Sequence, residues 1–319
     1  MTRVAAVVIG RNEGPRLPRC LRSVLAQFDP VVYVDSASSD GSPDTARALG
    51  AEVVALDLSI PFSFGRARNT GAARALELAP DAAHLQFVDA DSEIVPAWFE
   101  HATGALTDAP DLGAVHGRVR ERRPGDTIYD HLFELEFDPR TEAQDVLGGM
   151  AMVRVAAFLA VGRYAETMQT FEDHELSFRL RRAGWQIRRL ETDMAIHEGG
   201  MTRWREWWAR ERRSGHGRAQ LMAMHGSAAA PEWRRAYASI WFWAVLVPAL
   251  AIGVAWHWGG GALLVVLAYP ALLYRVFRRM RRRGFAAADA ALYAAARVAG
   301  KFPQLHGVLS FRRETRAAV

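Results

Sequence analysis

Leu85-Gln86-Phe87-Val88-Asp89-Ala90-Asp91 is an apolar run that ends abruptly in two carboxylates with one small residue between them. It reads as a buried strand delivering two acids to the edge of a sheet. Side chains two positions apart leave an extended strand on the same face, so Asp89 and Asp91 could share a divalent cation, or one could hold the metal and the other a ribose. Hard oxygen ligands of this kind suit Mg²⁺ or Mn²⁺, whose shells are completed by phosphate oxygens. The plainer alternative is a solvated strand-to-helix turn, with Asp91 or Ser92 capping a helix opened by Pro96.

Working outward, Val4-Ala5-Ala6-Val7-Val8-Ile9 is a continuous apolar run of the kind buried on both faces of a parallel sheet. It ends at Gly10-Arg11-Asn12-Glu13-Gly14. Leu17, Cys20, Leu21, Val24 and Leu25 then recur at helical spacing. A second strand, Val31–Val34, stops at the polar loop Asp35–Ser42, and a helix around Asp44–Leu49 leads to a third strand, Glu52–Leu56. This βαβαβ order predicts a doubly wound α/β sheet with its ligand crevice beyond the carboxyl ends of the strands. Asp35, Asp89 and Asp91 all fall at that edge. The segment Ser63–Arg74 sets Arg66, Arg68 and Asn69 near the start of a helix, where guanidinium forks and free amides suit phosphate. The same segment also reads as a helix face with Ala67, Gly71 and Ala75 packed on the sheet.

Half of the 319 residues are hydrophobic, enough for a substantial core. Cys20 is the only cysteine, which excludes an intramolecular disulfide and a thiolate zinc cluster and fits a reducing compartment. The first residues carry no signal-peptide pattern, so this end is expected in the cytosol. The net charge of +5 is divided unevenly: residues 1–202 hold 21 arginines and 30 acids, whereas residues 203–319 hold 19 basic residues and five acids. The basic residues of the tail flank long apolar runs, which favours an anionic membrane surface over nucleic acid.

Taken in order, Arg11-Asn12-Glu13, Val34-Asp35-Ser36 through Asp40-Gly41-Ser42, Ala67-Arg68-Asn69-Thr70-Gly71 and Asp89-Ala90-Asp91 resemble the family 2 glycosyltransferases of GT-A fold, membrane-associated bacterial type. These are inverting enzymes that use nucleotide-diphosphate sugars. The resemblance runs from Val4 to Gly200, roughly two thirds of the chain. It implies a nucleotide-sugar site built from Arg11, Asn12, Glu13, Asp35, Ser36, Arg68, Asn69 and Asp89. Within that site Asp35 would bond the base, Arg68 would lie near the diphosphate and Asp89 would face the ribose. Asp91 would hold Mg²⁺ or Mn²⁺, and His197 matches a position where relatives place a histidine near the metal or diphosphate.

The acceptor side falls later. Leu147-Gly148-Gly149-Met150 reads as a glycine-rich bend before a strand, with Gly148 and Gly149 letting the backbone approach a sugar closely. A helix is predicted from Glu172 to Gly184, with Leu176, Leu180 and Ala183 on one stripe. Acids in a first turn commonly complement the helix dipole. Glu172-Asp173 also resembles the family's acidic pair, which implies Asp173 as general base and Glu172 as its support, or the reverse. Phe62, Phe64, Trp98 and Tyr164 are candidates for shaping specificity.

Beyond Gly200, Trp204, Trp207 and Trp208 alternate with Arg203, Arg205, Arg210, Arg212 and Arg213, which suits a membrane surface, an acceptor phosphate or a packed helix. The Gln-x-x-Arg-Trp motif of processive polysaccharide synthases is missing here. Tyr237–Trp256 is uncharged and long enough to span a bilayer. Ala262–Phe277 is a shorter second candidate, joined to the first by a turn at His257–Gly261, and arginines flank the pair on its outer sides. The expected organisation is a GT-A-like domain over 1–202, an interfacial segment over 203–236, a transmembrane hairpin over 237–283 and an amphipathic segment over 284–319. The expected activity is transfer of a sugar to a lipid-linked or membrane-proximal glycan acceptor at the cytoplasmic face of the bacterial inner membrane. A noncatalytic membrane scaffold of the same fold and a nucleotidyltransferase are the alternatives.

Overall fold

The structure, a computed structural model, describes residues 2–141, 145–258 and 261–317. β1 (Val4–Gly10) is apolar and buried on both faces, as a central parallel strand must be. α1 (Arg16–Leu25) turns Leu17, Cys20, Leu21 and Val24 inward and leads to β2 (Val31–Asp35), α2 (Ser42–Ala48) and β3 (Glu52–Ala55). The three strands pair in parallel, so the predicted βαβαβ unit is present. α3 (Phe64–Leu78) returns the chain to β4 (His84–Asp89), which pairs in parallel with the other side of β1. A Cβ at Gly71 would lie 2.3 Å from Val7 Cγ1 and 2.8 Å from Val34 Cγ2, so glycine is what lets α3 lie directly on the sheet.

After Asp91 the chain does not enter a helix. Ser92 opens β5 (Ser92–Ile94), and α4 (Trp98–Asp108) starts two residues after Pro96. Next come β6 (Leu112–Glu121) and α5 (Ile128–Glu136), then β7 (Ala151–Arg154), α6 (Val155–Ala160), α7 (Glu172–Arg182) and β8 (Gln186–His197). The sheet order is β3-β2-β1-β4-β7-β6-β8-β5. The sheet is mixed rather than wholly parallel: β7 runs antiparallel to β4 and β6, and β5 antiparallel to β8. The reason is local. Gly148 and Gly149 bring the chain back at the carboxyl edge of β4, where Phe87 pairs with Ala151, so the next strand can only run down the sheet. Gly10 pairs with Asp35, Ile9 with Asp89, and Glu121 with His197, which sets the carboxyl ends of β1, β2, β4, β6 and β8 along one edge.

The chain forms two compact units. The sheet unit comprises residues up to 126 and 136–200, and the helical unit comprises 127–135 and the residues from 201 onward. In the sheet unit Val7, Ile9, Val34, Phe87, Phe158, Tyr164, Leu176 and Leu180 form a continuous core. Ala183, expected on the buried stripe of α7, is exposed, because the helix ends at Arg182.

The helical unit contains α5, α8 (Trp204–His225), α9 (Pro231–Trp241), α10 (Val247–Trp258), α11 (Ala262–Val266), α12 (Ala268–Arg282), α13 (Ala287–Ala299) and α14 (Lys301–Ala317). α5 belongs to it because Leu135 packs with Met280, Phe285 and Ala290. α8 and α14 cross with backbone against backbone. A Cβ at Gly215 would lie 1.9 Å from the Gln304 carbonyl oxygen, and one at Gly307 would lie 1.9 Å from that of Arg212. Gln304 donates to Glu211 at 2.6 Å, and His216 meets Glu314 at 2.9 Å. The aromatic stripe of α8 is therefore partly a packing face, with Trp207 buried and Trp204 exposed.

α9 and α10 run on through a π-helical turn at Phe242–Leu246 as one 28-residue helix with a mean hydropathy of 2.0 over its most apolar stretch. Among the described residues, this is the one helix long and apolar enough to cross a membrane. The second expected span is broken between α11 and α12, and Arg275, Arg278 and Arg279 lie inside α12. Gly259 and Gly260, within the predicted turn, lie outside the described residues.

Candidate active site

A cavity of about 370 Å³ opens at the carboxyl edge of the sheet, lined by Ile9, Gly10, Arg11, Glu13, Ser36, Phe62, Phe64, Asp89, Ala90 and Asp91. It gathers Arg11, Glu13, Ser36, Asp89 and Asp91 from the residues singled out in the sequence. A Cβ on Gly10 would lie 2.6 Å from Ala90 Cβ, so glycine at the end of β1 lets the Asp89-Ala90-Asp91 turn settle against it. Phe62 and Phe64 meet edge to face, with centroids 5.1 Å apart, and form the aromatic wall. Trp98 is fully buried and donates its indole N–H to Gln86 at 2.7 Å, so it belongs to the core.

Asp89 and Asp91 take different partners. Asp89 accepts from Arg68 at 2.8 Å, and the other arm of that guanidinium donates to Glu172. Arg68 is buried, so its fork is spent on joining a strand-end acid to an acid of α7. Two of its five N–H donors go to these carboxylates, and Nε has no hydrogen-bond partner. Among the arginines singled out, the one lining the cavity with its side chain exposed is Arg11. Gly149 stands against the same group, since a Cβ there would lie 2.8 Å from Asp89 Oδ2 and 3.2 Å from Arg68 Nη2. Gly148 has open space around it.

Asp91 Oδ2 lies 3.4 Å from His197 Nε2, and His197 Nδ1 lies 2.7 Å from Glu121 Oε2. Burial works to raise the Asp91 carboxyl, but the His197 bond, the Arg16 charge and the Ser92 hydroxyl hold it below the usual range. Burial works to lower the His197 imidazole, and its two carboxylate partners overcome this and push it up to about 9. Glu121 was not expected from the sequence. It closes β6, and its partner His197 comes from β8, 76 residues on.

Among the described residues, no cluster of three or more His, Cys, Asp or Glu side chains is gathered as a metal cage. Asp91 and His197 are nevertheless spaced to share an ion once the imidazole has given up its Nε2 proton. Neighbouring ligands of an octahedral Mg²⁺ or Mn²⁺ stand about 3 Å apart, close to the observed separation, and these ions draw most of their ligands from water and phosphate. Glu121 behind Nδ1 is the usual outer partner that orients a ligating imidazole.

Asp35 is buried, accepting from the Tyr33 hydroxyl at 3.1 Å and the Ser38 amide at 2.9 Å. Asn12, in a left-handed conformation at φ 56°, accepts from the Ser39 amide at 2.7 Å and knits the first two loops together. Glu13 pairs with Arg16 at 2.7 Å, and burial raises its carboxyl. Asn69 is buried and bonded to residues 164–166 rather than lining the cavity. Asp173 accepts from the His174 amide at 2.7 Å. Burial pushes Glu172 up to about 7 and Asp173 up to about 6, against the opposing pull of Arg68.

Comparison with known proteins gives these features a family context. The chain is 29% identical over 241 residues to a pre-mycofactocin glycosyltransferase of Mycobacterium tuberculosis, covering 72% of this chain and 49% of that protein. It is 32% identical over 136 residues to a TPR repeat-containing protein of Synechococcus elongatus, covering 42% of this chain and 32% of that one. The chain thus spans half or less of the length of these curated relatives. A mannosyltransferase from Pyrobaculum calidifontis, solved with GDP-Man and Mn²⁺, superposes with a TM-score of 0.58 at 19% identity, covering 97% of this chain and 86% of that one. Glucosyl-3-phosphoglycerate synthase from M. tuberculosis, solved with Mg²⁺ and UDP, gives 0.51 at 18% identity over 70% and 79%. At these identities the likeness is one of fold, the GT-A-like α/β architecture. The sequence profile described as glycosyl transferase family 2 matches residues 6–166, just over half of the chain, and the chain belongs to that family.

Proposed function

We propose that this chain is an inverting, metal-dependent glycosyltransferase that moves a sugar from a nucleotide-diphosphate donor to a lipid-linked or membrane-proximal glycan acceptor. The observation that carries the reading is the Asp89–Arg68–Glu172 bridge, which ties an acid of the cavity to the residue preceding Asp173. In this reading the donor occupies the cavity, with the nucleotide beside Ser36 and the diphosphate between Arg11 and Asp91. A divalent ion held by Asp91 and His197 would supply positive charge at the departing diphosphate. As the anomeric carbon gains positive character, Asp173 removes the proton of the acceptor hydroxyl attacking from the opposite face, and direct displacement inverts the configuration. A carboxyl raised to about 6 is well placed for this, being ionised at neutral pH yet more basic than an exposed aspartate. Glu172, fixed by Arg68, holds the turn in which Asp173 sits.

The helix Pro231–Trp258, long and apolar enough to cross a bilayer, supports membrane attachment, which the proposal assigns to the cytoplasmic face of the bacterial inner membrane. α11 and α12 would complete a hairpin, leaving the arginines at the end of α12 at the anionic headgroups.

The test is a donor screen with full-length protein in detergent, with Mg²⁺, Mn²⁺ or EDTA and membrane lipid extract as acceptor. Metal-dependent release of nucleoside diphosphate with label entering the lipid fraction is expected, and Asp91→Ala and Asp173→Asn should each slow it about a hundredfold or more. Pyrophosphate release from a nucleoside triphosphate would instead mark a nucleotidyltransferase. Absence of turnover with every donor would favour a scaffold.

A further inference from the structure

Residues 161–171, between α6 and α7, form a strap fastened at both ends inside the sheet unit. On the α7 side, Arg179 donates to the carbonyl oxygens of Val161 and Arg163, the second at 2.6 Å, while Glu175 holds the same guanidinium at 2.8 Å. On the α3 side the fastening is Asn69. Its Oδ1 accepts from the Tyr164 amide at 3.1 Å, and its Nδ2 donates to the Tyr164 carbonyl at 3.0 Å and to Glu166 Oε1 at 2.9 Å. Ser63, the N-cap of α3, accepts from the Arg66 amide at 3.0 Å and donates to the Glu166 carbonyl at 2.5 Å. Gly65 leaves no room for a side chain, since a Cβ there would lie 2.8 Å from the Ala165 carbonyl oxygen.

The held segment reaches both halves of the site. The Tyr164 ring lies 5.6 Å from the Arg68 guanidinium and packs edge-on against Phe87, two residues before Asp89. Downstream, the strap delivers Phe171, at φ 66°, and then Glu172 and Asp173. Asn69 itself is 5% exposed and takes no part in lining the cavity. Its chemistry at this place is specific. An amide supplies one acceptor and two donors at one point, whereas a carboxylate would face the Tyr164 carbonyl and the Glu166 carboxylate with no proton to give. A buried acceptor left without its donor costs about 1–3 kcal/mol.

We propose that Asn69 is a positioning residue for the transfer step: through Tyr164 and Glu166 it holds the strap so that the donor-side helix α3 and the acceptor-side base Asp173 keep one fixed spacing. The inference rests on the glycosyltransferase reading above. Asn69 then acts on acceptor attack and not on donor binding, which separates it from Asp91 and from a purely structural residue.

The test compares full-length wild type with Asn69→Asp, Glu166→Ala and Glu166→Gln. Glu166→Ala removes one of the three bonds and serves as the milder probe should Asn69→Asp fold poorly. Donor affinity, transfer kcat and acceptor KM, donor hydrolysis without acceptor, and hydrogen exchange over 161–176 are measured together. Expected for Asn69→Asp are donor affinity within about twofold of wild type, at least tenfold lower kcat/KM for acceptor, retained hydrolysis and faster exchange confined to the strap. Glu166→Gln keeps an acceptor oxygen for Asn69 and should retain wild-type transfer. Loss of donor affinity in parallel with transfer overturns the proposal, as does wild-type transfer by a variant whose strap exchanges faster. If the wild type turns over no donor, the enzymatic reading fails separately. Exchange then decides the clamp alone: unchanged protection in Asn69→Asp overturns it, and faster exchange limited to 161–176 supports it.

Discussion

At the scale of single residues, the site is organised by one buried guanidinium with two carboxylate partners. Asp173 faces Arg68, Asp89 and the His174 amide, with burial as the largest influence on its carboxyl. Under the proposal that Asp173 is the base it must be ionised to accept a proton, so kcat/KM is expected to fall about tenfold per pH unit below about pH 6 and to level off above it. Asp173→Asn should lower kcat by about 10²–10⁴-fold, in the usual range for loss of a general base. Arg68→Met removes the charge that opposes burial, so the acid limb of any residual activity should move to higher pH. It also strands Glu172, a nearly fully buried carboxylate, and should destabilise the protein by about 3–5 kcal/mol in denaturant titrations. An unmoved limb together with an unchanged denaturation midpoint would mean that the bridge sets neither property.

At the scale of elements, glycine decides where helices and strands come closest. Gly71→Ala would push a methyl group into Val7 and Val34, and a loss of about 1–3 kcal/mol is expected from thermal or chemical unfolding. Gly104, on α4, has open space at its Cβ position, so Gly104→Ala should be neutral or slightly stabilising and serves as the control. The first half of the sheet was legible in the sequence because Val4–Ile9, Val31–Val34 and Leu85–Val88 are short apolar runs, each closed by a polar loop. The second half was not. β8 mixes Arg188, Arg189, Glu191 and Asp193 with its apolar positions, and its pairing with β6 is a long-range choice that no local pattern records. The same limit applies within the site. Asp89, Asp91 and Glu172-Asp173 stood out as acids at element ends, but Glu172 lies 104 residues from Arg68, so the destination of that arginine's fork could be read only from the folded chain. Glu121 escaped for the same reason, its partner lying 76 residues away.

At the scale of the whole molecule, the sequence is negative over its first two thirds and basic beyond, and the structure sets a mixed α/β unit apart from a helical one. The proposed hairpin makes a topological demand that the single cysteine renders testable. Cys20 is buried, so a cysteine introduced by Trp258→Cys, at an exposed position, should be the one thiol open to reagents. In intact cells, labelling of that position by a membrane-impermeant reagent is expected if the helix crosses the bilayer, and protection until lysis if it lies along the cytoplasmic face. The catalytic proposal is tested most directly by donor affinity and turnover measured side by side in wild type and Asp173→Asn with Mn²⁺ present. The proposed division of labour requires the variant to bind the nucleotide-sugar donor as tightly as wild type while transferring at least a hundredfold more slowly. Undiminished transfer by Asp173→Asn, or donor binding lost in step with transfer, would contradict it.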